Sequence, residues 1–306
     1  MEFFDVIVIG AGPAGMNTAL YTQRSNLKTL ILDKGMYGGQ LNNTLEVENY
    51  IGVGKVSGMD LAESMYQQIE ELGVEYKYGD TLEITKIDNV FNVVTDVEAY
   101  QANSVVIATG TEHRKLGVQG ELEYSGKGVS YCAICDGAFF KDGKIVVVGG
   151  GDSALEEGEY LTNYGKTVFL VHRRDELRGT KILQNRFINK ENTKLIYNSQ
   201  ITNIIGDGNL VTHVELTDSN GDVSIHEANG VFIYIGLDPN TEQFLGLSIT
   251  DSEGYVLTDE KMETNISGLF AVGDVRKKEL RQIATAVGDG SICGTSVYNY
   301  ITKLKD

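Results

Sequence analysis

Two cysteines separated by two residues, Cys132-Ala133-Ile134-Cys135, run directly into Asp136-Gly137 and are the residues of this sequence best suited to covalent chemistry. Thiols at that spacing can close a short, reactive disulfide, and a nearby charge or helix end can lower a thiol pKa. Zinc is the competing use, but a zinc site needs four ligands. The chain has no second Cys-x-x-Cys, and its four histidines, His113, His172, His213 and His226, are not in ligand spacing. A purely structural disulfide would add little to an intracellular chain with only three cysteines. The pair therefore reads as redox-active, and no metal is expected. Asp136 could supply or accept the proton that dithiol chemistry requires, although Asp-Gly is also a common turn sequence. The third cysteine, Cys293, lies in an apolar C-terminal segment and is expected to be a buried, inert thiol.

Two elements of the chain are suited to hold nucleotides. The apolar run Val6-Ile7-Val8-Ile9 leads into Gly10-Ala11-Gly12-Pro13-Ala14-Gly15, and Ile145-Val146-Val147-Val148 leads into Gly149-Gly150-Gly151-Asp152-Ser153-Ala154. Helix-compatible stretches follow at 16–25 and 155–164, then second apolar strands, Thr29-Leu30-Ile31-Leu32 and Val168-Phe169-Leu170-Val171. A lone glycine-rich turn is weak evidence. With a strand before and a helix and strand after, it marks a βαβ dinucleotide-binding unit. The first glycine makes the tight turn, the second lets backbone approach a pyrophosphate, and the third lets helix and strand pack closely. Phosphates would rest on the helix N-terminal N–H groups.

The residues after the second strands separate the two nucleotides. Asp33 can accept hydrogen bonds from ribose hydroxyls, whereas the equivalent place in the second unit holds His172, Arg173 and Arg174, with Arg178 just beyond. Guanidinium groups bind a 2′-phosphate that a carboxylate would repel. The second site is therefore expected to take NADPH, the alternative being a solvated surface cluster.

The remaining elements fit around these units. Alternating strands over 74–108, closing at Ala108-Thr109-Gly110, would complete the first domain, and a similar pattern at 195–235 the second. The apolar strand before Gly273-Asp274 is too isolated to found a domain and is expected to return to the first one. The fold class is α/β, with two Rossmann-like three-layer domains: 1–113 and 241–306 form a discontinuous first domain, and 114–240 form an inserted second. A net charge of −17 argues against nucleic acid as a partner. No run approaches the roughly 18 apolar residues of a membrane span, and the N-terminus lacks a leader pattern, so a cytoplasmic location is the expectation.

Taken together, these segments resemble the bacterial low-molecular-weight thioredoxin reductases over nearly the whole chain. The resemblance is carried by Gly10 to Gly15, Gly38-Gly39-Gln40-Leu41, Glu46-Val47-Glu48-Asn49-Tyr50, Ala108-Thr109-Gly110, and Gly128-Val129-Ser130-Tyr131-Cys132-Ala133-Ile134-Cys135-Asp136-Gly137. His172-Arg173-Arg174, Gly273-Asp274-Val275 and Arg281-Gln282 complete it. It implies a homodimer with a discontinuous FAD domain and an inserted NADPH domain, the domains rotating between two arrangements. The FAD set would comprise Gly10, Gly12, Pro13, Ala14, Gly15, Asp33, Gly39, Gln40, Leu41, Asn49, Ala108, Thr109, Gly110, Gly273, Asp274, Arg281, Gln282 and Ile283. The NADPH set would comprise Gly149, Gly151, Asp152, Ser153, Ala154, His172, Arg173, Arg174 and Arg178. Electrons would pass from NADPH through FAD to the Cys132–Cys135 disulfide and on to thioredoxin or a thioredoxin-like protein. Cys135 would face the flavin chemistry, Cys132 would attack the substrate disulfide, and Asp136 would be the acid and base.

The chain departs from the family pattern at several places. Tyr50-Ile51-Gly52 and Val118-Gln119-Gly120 lack a usual proline, Asp33 replaces a longer glutamate, and Ile283 replaces an alanine. None of these removes a reactive group. A related dithiol reductase or oxidase with another acceptor, and a non-catalytic dinucleotide sensor, are the competing readings. The sensor gives the cysteine pair no purpose, and an oxidase would not need the arginine cluster.

Overall fold

The structure is a computed structural model that describes residues 1–44 and 47–305, apart from the side chains of Cys135 and Lys305. Glu46 and the Cys135 side chain, both named above, therefore lie outside the described residues. The chain divides into two compact units, residues 1–112 with 238–306, and residues 113–237.

The first unit opens with β1 (Glu2–Ile9), whose C-terminal half is buried on both faces. Continuous burial is what a strand in a covered parallel sheet requires. The glycine turn leads into α1 (Pro13–Arg24) and then β2 (Thr29–Asp33), which pairs in parallel with β1, Val6 opposite Thr29. The helix begins at Pro13 rather than at residue 16, because proline is preorganised for the first helical position. α2 (Gly58–Glu71) is capped by Ser57, whose hydroxyl accepts the Asp60 N–H at 3.0 Å. β3 (Glu75–Tyr78) adds to the β2 edge. A meander of β4 (Thr81–Ile87), β5 (Val90–Thr95) and β6 (Ala99–Ile107) then brings β6 alongside β1, with Ile7 opposite Val105.

The chain crosses into the second unit at β7 (Thr111–His113). There, β8 (Val129–Ser130), the single-turn α3 (Ala133–Asp136), β9 (Lys144–Gly149), α4 (Asp152–Leu161) and β10 (Thr167–Val171) follow in order. α5 (Lys181–Ile188) and β11 (Thr193–Ile196) come next, and an antiparallel layer is formed by β12 (Ser199–Gly206), β13 (Val211–Asp218) and β14 (Val223–Glu227). With β15 (Gly230–Tyr234), a parallel sheet of order β11-β10-β9-β15-β8 is complete. One of its faces packs against α4 and α5 through Leu155, Leu161 and Phe187, and the other against the antiparallel layer through Ile204, Val214 and Leu216.

After β16 (Leu237–Pro239) the chain rejoins the first unit. β17 (Leu269–Ala271) pairs in parallel with the C-terminal half of β6, whose N-terminal half pairs with β5 on the same edge. This short strand is stable only because β6 runs nine residues and leaves that half-edge vacant. α6 (Ile283–Lys305) then lies against α1, burying Ala286, Cys293, Val297 and Ile301 over the Val6, Val8, Ile31 and Val106 face of the sheet. Cys293 is fully buried and burial raises its thiol pKa, so it is chemically inert. Among the described residues no helix is long and apolar enough to cross a membrane.

Candidate active site

Cys132 is disulfide-bonded, and Cys293 is the free cysteine of the described set. The Cys132 backbone is fixed on both sides of its α-carbon: its N–H donates to Ser130 Oγ at 3.0 Å, and its carbonyl accepts the Asp136 N–H at 3.2 Å. The second bond is the turn of α3, and it sets Asp136 one turn beyond Cys132. Just before the cysteine, Tyr131 donates its hydroxyl to Glu121 at 2.6 Å, and Glu121 also accepts the N–H groups of Leu116 and Gly117. Glu121 is buried, and three donors compensate its charge. Asp136 lines an open cavity of about 680 Å³ together with Lys127, Ser130, Phe139 and Lys141. Phe139 is 81% exposed there, so the cavity wall that carries Asp136 also carries an apolar side chain and two lysines.

The first glycine turn in the other unit has three distinct kinds of position. Gly10 has φ +110°, and a Cβ on it would collide with the Ala108 carbonyl. At Gly12 a Cβ would meet nothing within 4 Å, so the backbone is open to a ligand. Gly15 abuts the Gly10 carbonyl, which lets α1 approach the strand. Gly12 is the N-cap of α1 and brings no side-chain cap, leaving the first N–H groups available. Asp33 accepts the Ala11 N–H at 2.6 Å through Oδ2 and the Gly35 N–H at 2.8 Å through Oδ1. It therefore braces the turn and keeps a further lone pair on each oxygen.

Other expected residues gather around this turn. Gly39 faces the Gly12 α-carbon, and Gly38 donates its N–H to Ala11 at 2.8 Å. Gln40 donates to the Thr111 carbonyl at 2.8 Å, while Leu41 and Ile283 pack in one small core. A Cβ on Gly273 would press on Ala14 at 2.8 Å, which puts Asp274 at the start of α1. Asn49 donates to Gln282 Oε1 at 2.9 Å. Arg281 donates Nε–H to the Asp274 carbonyl at 3.2 Å and lies over the Tyr255 ring at 4.1 Å. Asp274 Oδ1 is buried without a hydrogen-bond partner, and burial raises its carboxyl pKa against the pull of Lys278 and Arg281. A buried carboxylate oxygen that accepts no hydrogen bond and has only Lys278 Nζ at 3.9 Å, an uncapped helix and an open glycine together fit a dinucleotide lying along the turn.

The second unit repeats the geometry. Gly149 abuts the Tyr234 carbonyl, Gly151 faces open space, and Ala154 replaces the third glycine at 0% exposure. Gly151 caps α4 without a side-chain bond. Asp152 Oδ1 accepts the Thr180 N–H at 2.6 Å, and Ser153 is exposed in the first turn of the helix. The Gly150 carbonyl accepts the N–H groups of Arg178 at 2.7 Å and Gly179 at 3.0 Å, which ties Arg178 to the glycine turn. Arg173, Arg174 and Arg178 are exposed. His172 differs from them: its ring is buried against Gly150, its Nε2 is unpartnered, and burial first, then Arg178 and Arg174, hold its pKa below the usual value. A neutral, buried imidazole can brace the turn, while the three arginines present the charge.

Several supporting residues escape a reading by motif. Asn240 donates to the Thr109 carbonyl at 2.9 Å, accepts the Thr109 hydroxyl on its own carbonyl at 2.7 Å, and so holds the Ala108-Thr109-Gly110 segment. Asp289 on α6 accepts the Gly273 N–H at 3.0 Å and pairs with Arg276 at 2.9 Å and Lys278 at 3.0 Å. An acidic residue mid-helix with basic residues just before the helix was the available signal, but it does not distinguish a buried network from a solvated face.

Two βαβ units with open glycine turns, one preceded by a disulfide, define a dinucleotide-dependent disulfide oxidoreductase. The chain belongs to the pyridine nucleotide-disulphide oxidoreductase family, whose profile matches residues 4–290. It is 53% identical over its full length to the thioredoxin reductase of Listeria innocua, of which it covers 96%. Its identity to the thioredoxin reductase of Bacillus subtilis is 47%, with 100% of this chain and 97% of that protein covered. Among solved structures, Lactococcus lactis thioredoxin reductase superposes with a TM-score of 0.96 at 46% identity, over 98% of this chain and 99% of that one.

Proposed function

We propose that this chain reduces the disulfide of thioredoxin or a thioredoxin-like protein with electrons from NADPH, using Cys132 as the attacking thiol. The observation that carries this reading is the disulfide at Cys132, held by Ser130 and α3 immediately before a second nucleotide-type turn. Relatives named thioredoxin reductase at 47–53% identity support it.

Residues 1–112 with 238–306 would form the FAD domain, and 113–237 the NADPH domain carrying the cysteine pair. In the first, the α1 N-terminus and Gly12 would receive the pyrophosphate, Asp33 a ribose, and Asp274, whose Oδ1 accepts no hydrogen bond, the hydroxyl-bearing part of the flavin chain. In the second, Gly151 and α4 would receive the pyrophosphate and Arg173, Arg174 and Arg178 the 2′-phosphate. Bound FAD supplies hydride acceptance from NADPH and two-electron reduction of the disulfide.

The steps belonging to the protein's own residues are thiol–disulfide exchange. The Cys132 thiolate attacks one sulfur of the substrate disulfide, forming a mixed disulfide and releasing one substrate thiolate, which takes a proton from the Asp136 carboxyl. The Cys135 thiol then gives its proton to Asp136 and attacks Cys132 Sγ. The enzyme disulfide re-forms, and the second substrate sulfur leaves as a thiolate that takes that proton from Asp136. Exposed Phe139, Lys127 and Lys141, which line the same cavity as Asp136, suit an acidic partner with an apolar contact surface. A homodimer in the cytoplasm is the assembly and location consistent with this chemistry.

A Cys135→Ser variant tests the order of events. Reduced and mixed with thioredoxin, it should accumulate an enzyme–thioredoxin disulfide at Cys132. Absence of that adduct, with the substrate disulfide intact, would remove Cys132 from the attacking role.

A further inference from the structure

We propose that Glu157 and Tyr234 are positioning residues for the dithiol, linking the ionisation of a carboxyl group behind the Cys132 segment to that of the Cys132 thiol. This deepens the proposed function and rests on Cys132 being its reactive thiol.

The geometry is a hydrogen-bond chain within one unit. The N–H of Ala133, the residue after Cys132, is fully buried and donates to the Tyr234 hydroxyl at 3.0 Å. Tyr234 closes β15 and donates its own proton onward to Glu157 Oε2 on α4 at 3.4 Å. A backbone amide of the cysteine turn is thus tied through a phenol to a carboxyl group that the exchange chemistry does not itself use.

The neighbours of that carboxyl are few. Glu156 acts on it from the same helix, and Tyr160, also on α4, feels its charge. Tyr234 faces it from β15, Ala133 from α3, and Asp136 acts on Tyr234 from α3. The other elements packed on α4 contribute apolar side chains to the same core, Val147 from β9, Leu170 from β10 and Phe187 from α5. Among the described residues, the groups that shift Glu157 are Ala133, Glu156 and Tyr234. Burial first, with Glu156 adding repulsion, pushes its carboxyl up to about 7 against the two hydrogen bonds. The group changes charge within the working range of a thiol.

The sign of the coupling follows. Below neutrality Glu157 is uncharged and leaves the thiolate unopposed. Above it, a carboxylate behind the Ala133 amide disfavours a second anion at Cys132. Conversely, forming the thiolate draws a proton onto Glu157, so the two groups titrate as a pair.

The test uses the holoenzyme reduced with dithiothreitol and freed of it. Alkylation of Cys132 by iodoacetamide is followed by mass spectrometry from about pH 5 to about pH 9, because only the thiolate reacts. For the native protein the rate should bend downward from a single thiol titration near neutrality. Glu157→Gln should lose the bend and react about threefold faster on its alkaline side, the effect of removing one nearby negative charge. Tyr234→Phe should move the bend to higher pH, since the phenol's hydrogen bond favours the carboxylate. Glu159→Gln removes the same charge from an α4 side chain that pairs with Lys190 at 3.4 Å, and should keep the native bend. A Glu157→Gln profile superimposable on the native one, or a bend equally lost in Glu159→Gln, overturns the proposal. NADPH in place of dithiothreitol separates the two readings: no alkylatable Cys132 thiol overturns the function and this proposal with it, whereas a thiol with an unbent profile overturns the proposal alone.

Discussion

Asp289 pairs with Arg276 at 2.9 Å, and both side chains are almost withdrawn from solvent. The same carboxylate holds Lys278 at 3.0 Å and the Gly273 N–H at 3.0 Å. It thereby connects α6 to the turn that carries Asp274. Removing it leaves two buried cations without their common partner. Asp289→Ala should lower unfolding free energy by about 3 kcal/mol, the cost of breaking a buried ion pair from one side. Urea unfolding measures this, and a change under about 1 kcal/mol would mean that solvent compensates the cations.

Gly10 and Gly12 lie two residues apart and should respond oppositely to alanine. Gly10 has φ +110° and no room for a Cβ, so Gly10→Ala should destabilise the fold by more than about 1 kcal/mol. Gly12 has φ −76° and open space, so Gly12→Ala should fold normally yet retain less FAD, because the new methyl group occupies the ligand's side of the turn. Thermal unfolding of the FAD-free proteins, beside the flavin absorbance of each preparation, separates the two effects. Equal flavin content in Gly12→Ala and the native protein would contradict the assigned orientation.

The arginine cluster sets a prediction about the nucleotide. Replacing Arg173 and Arg174 together by Ala should raise the KM for NADPH about 10- to 100-fold, the loss of charge-assisted hydrogen bonds to a phosphate. The KM for NADH should change little, since it lacks that phosphate. His172→Asn should act differently: the imidazole is buried against Gly150, so both nucleotides should be affected together.

Stability should depend on pH through Glu157. Its carboxyl is raised from 4.5 to about 7 in the folded protein, so the folded state holds the proton more tightly than the unfolded chain. The resulting stability is fully present below the unfolded value and is lost as pH rises through about 7. The loss amounts to at most about 3 kcal/mol. Thermal scans should show unfolding temperature falling between about pH 5 and about pH 8, with a flatter profile for Glu157→Gln. A native profile that rises over that interval by the same amount in both proteins would contradict the assignment.

Much of the architecture was legible because it depends on local pattern. The runs at Val6 and Ile145, each followed by a glycine turn, mark buried parallel strands opening into helices, and both occur as βαβ units. Where the helices begin was less legible. Periodicity starts with the first buried side chain, whereas Pro13 and Asp152 already occupy the first turns. The contacts that brace the site were not legible at all. Asn240 reaches Thr109 across 131 positions and Tyr234 reaches Ala133 across 101, and neither residue type at its position announces a partner. His172 could be placed after its strand, yet whether its ring faces solvent or the core depends on Gly150, which accepts the ring only because it lacks a side chain.

The most direct test of the central claim is NADPH oxidation by the purified holoenzyme, with and without oxidised thioredoxin, for the native protein and Cys132→Ser. The account predicts turnover that depends on thioredoxin and falls by at least about 1,000-fold in the variant, as loss of a nucleophile requires. Turnover that persists without thioredoxin and survives the substitution would contradict it, because electrons would then leave by a route that bypasses Cys132.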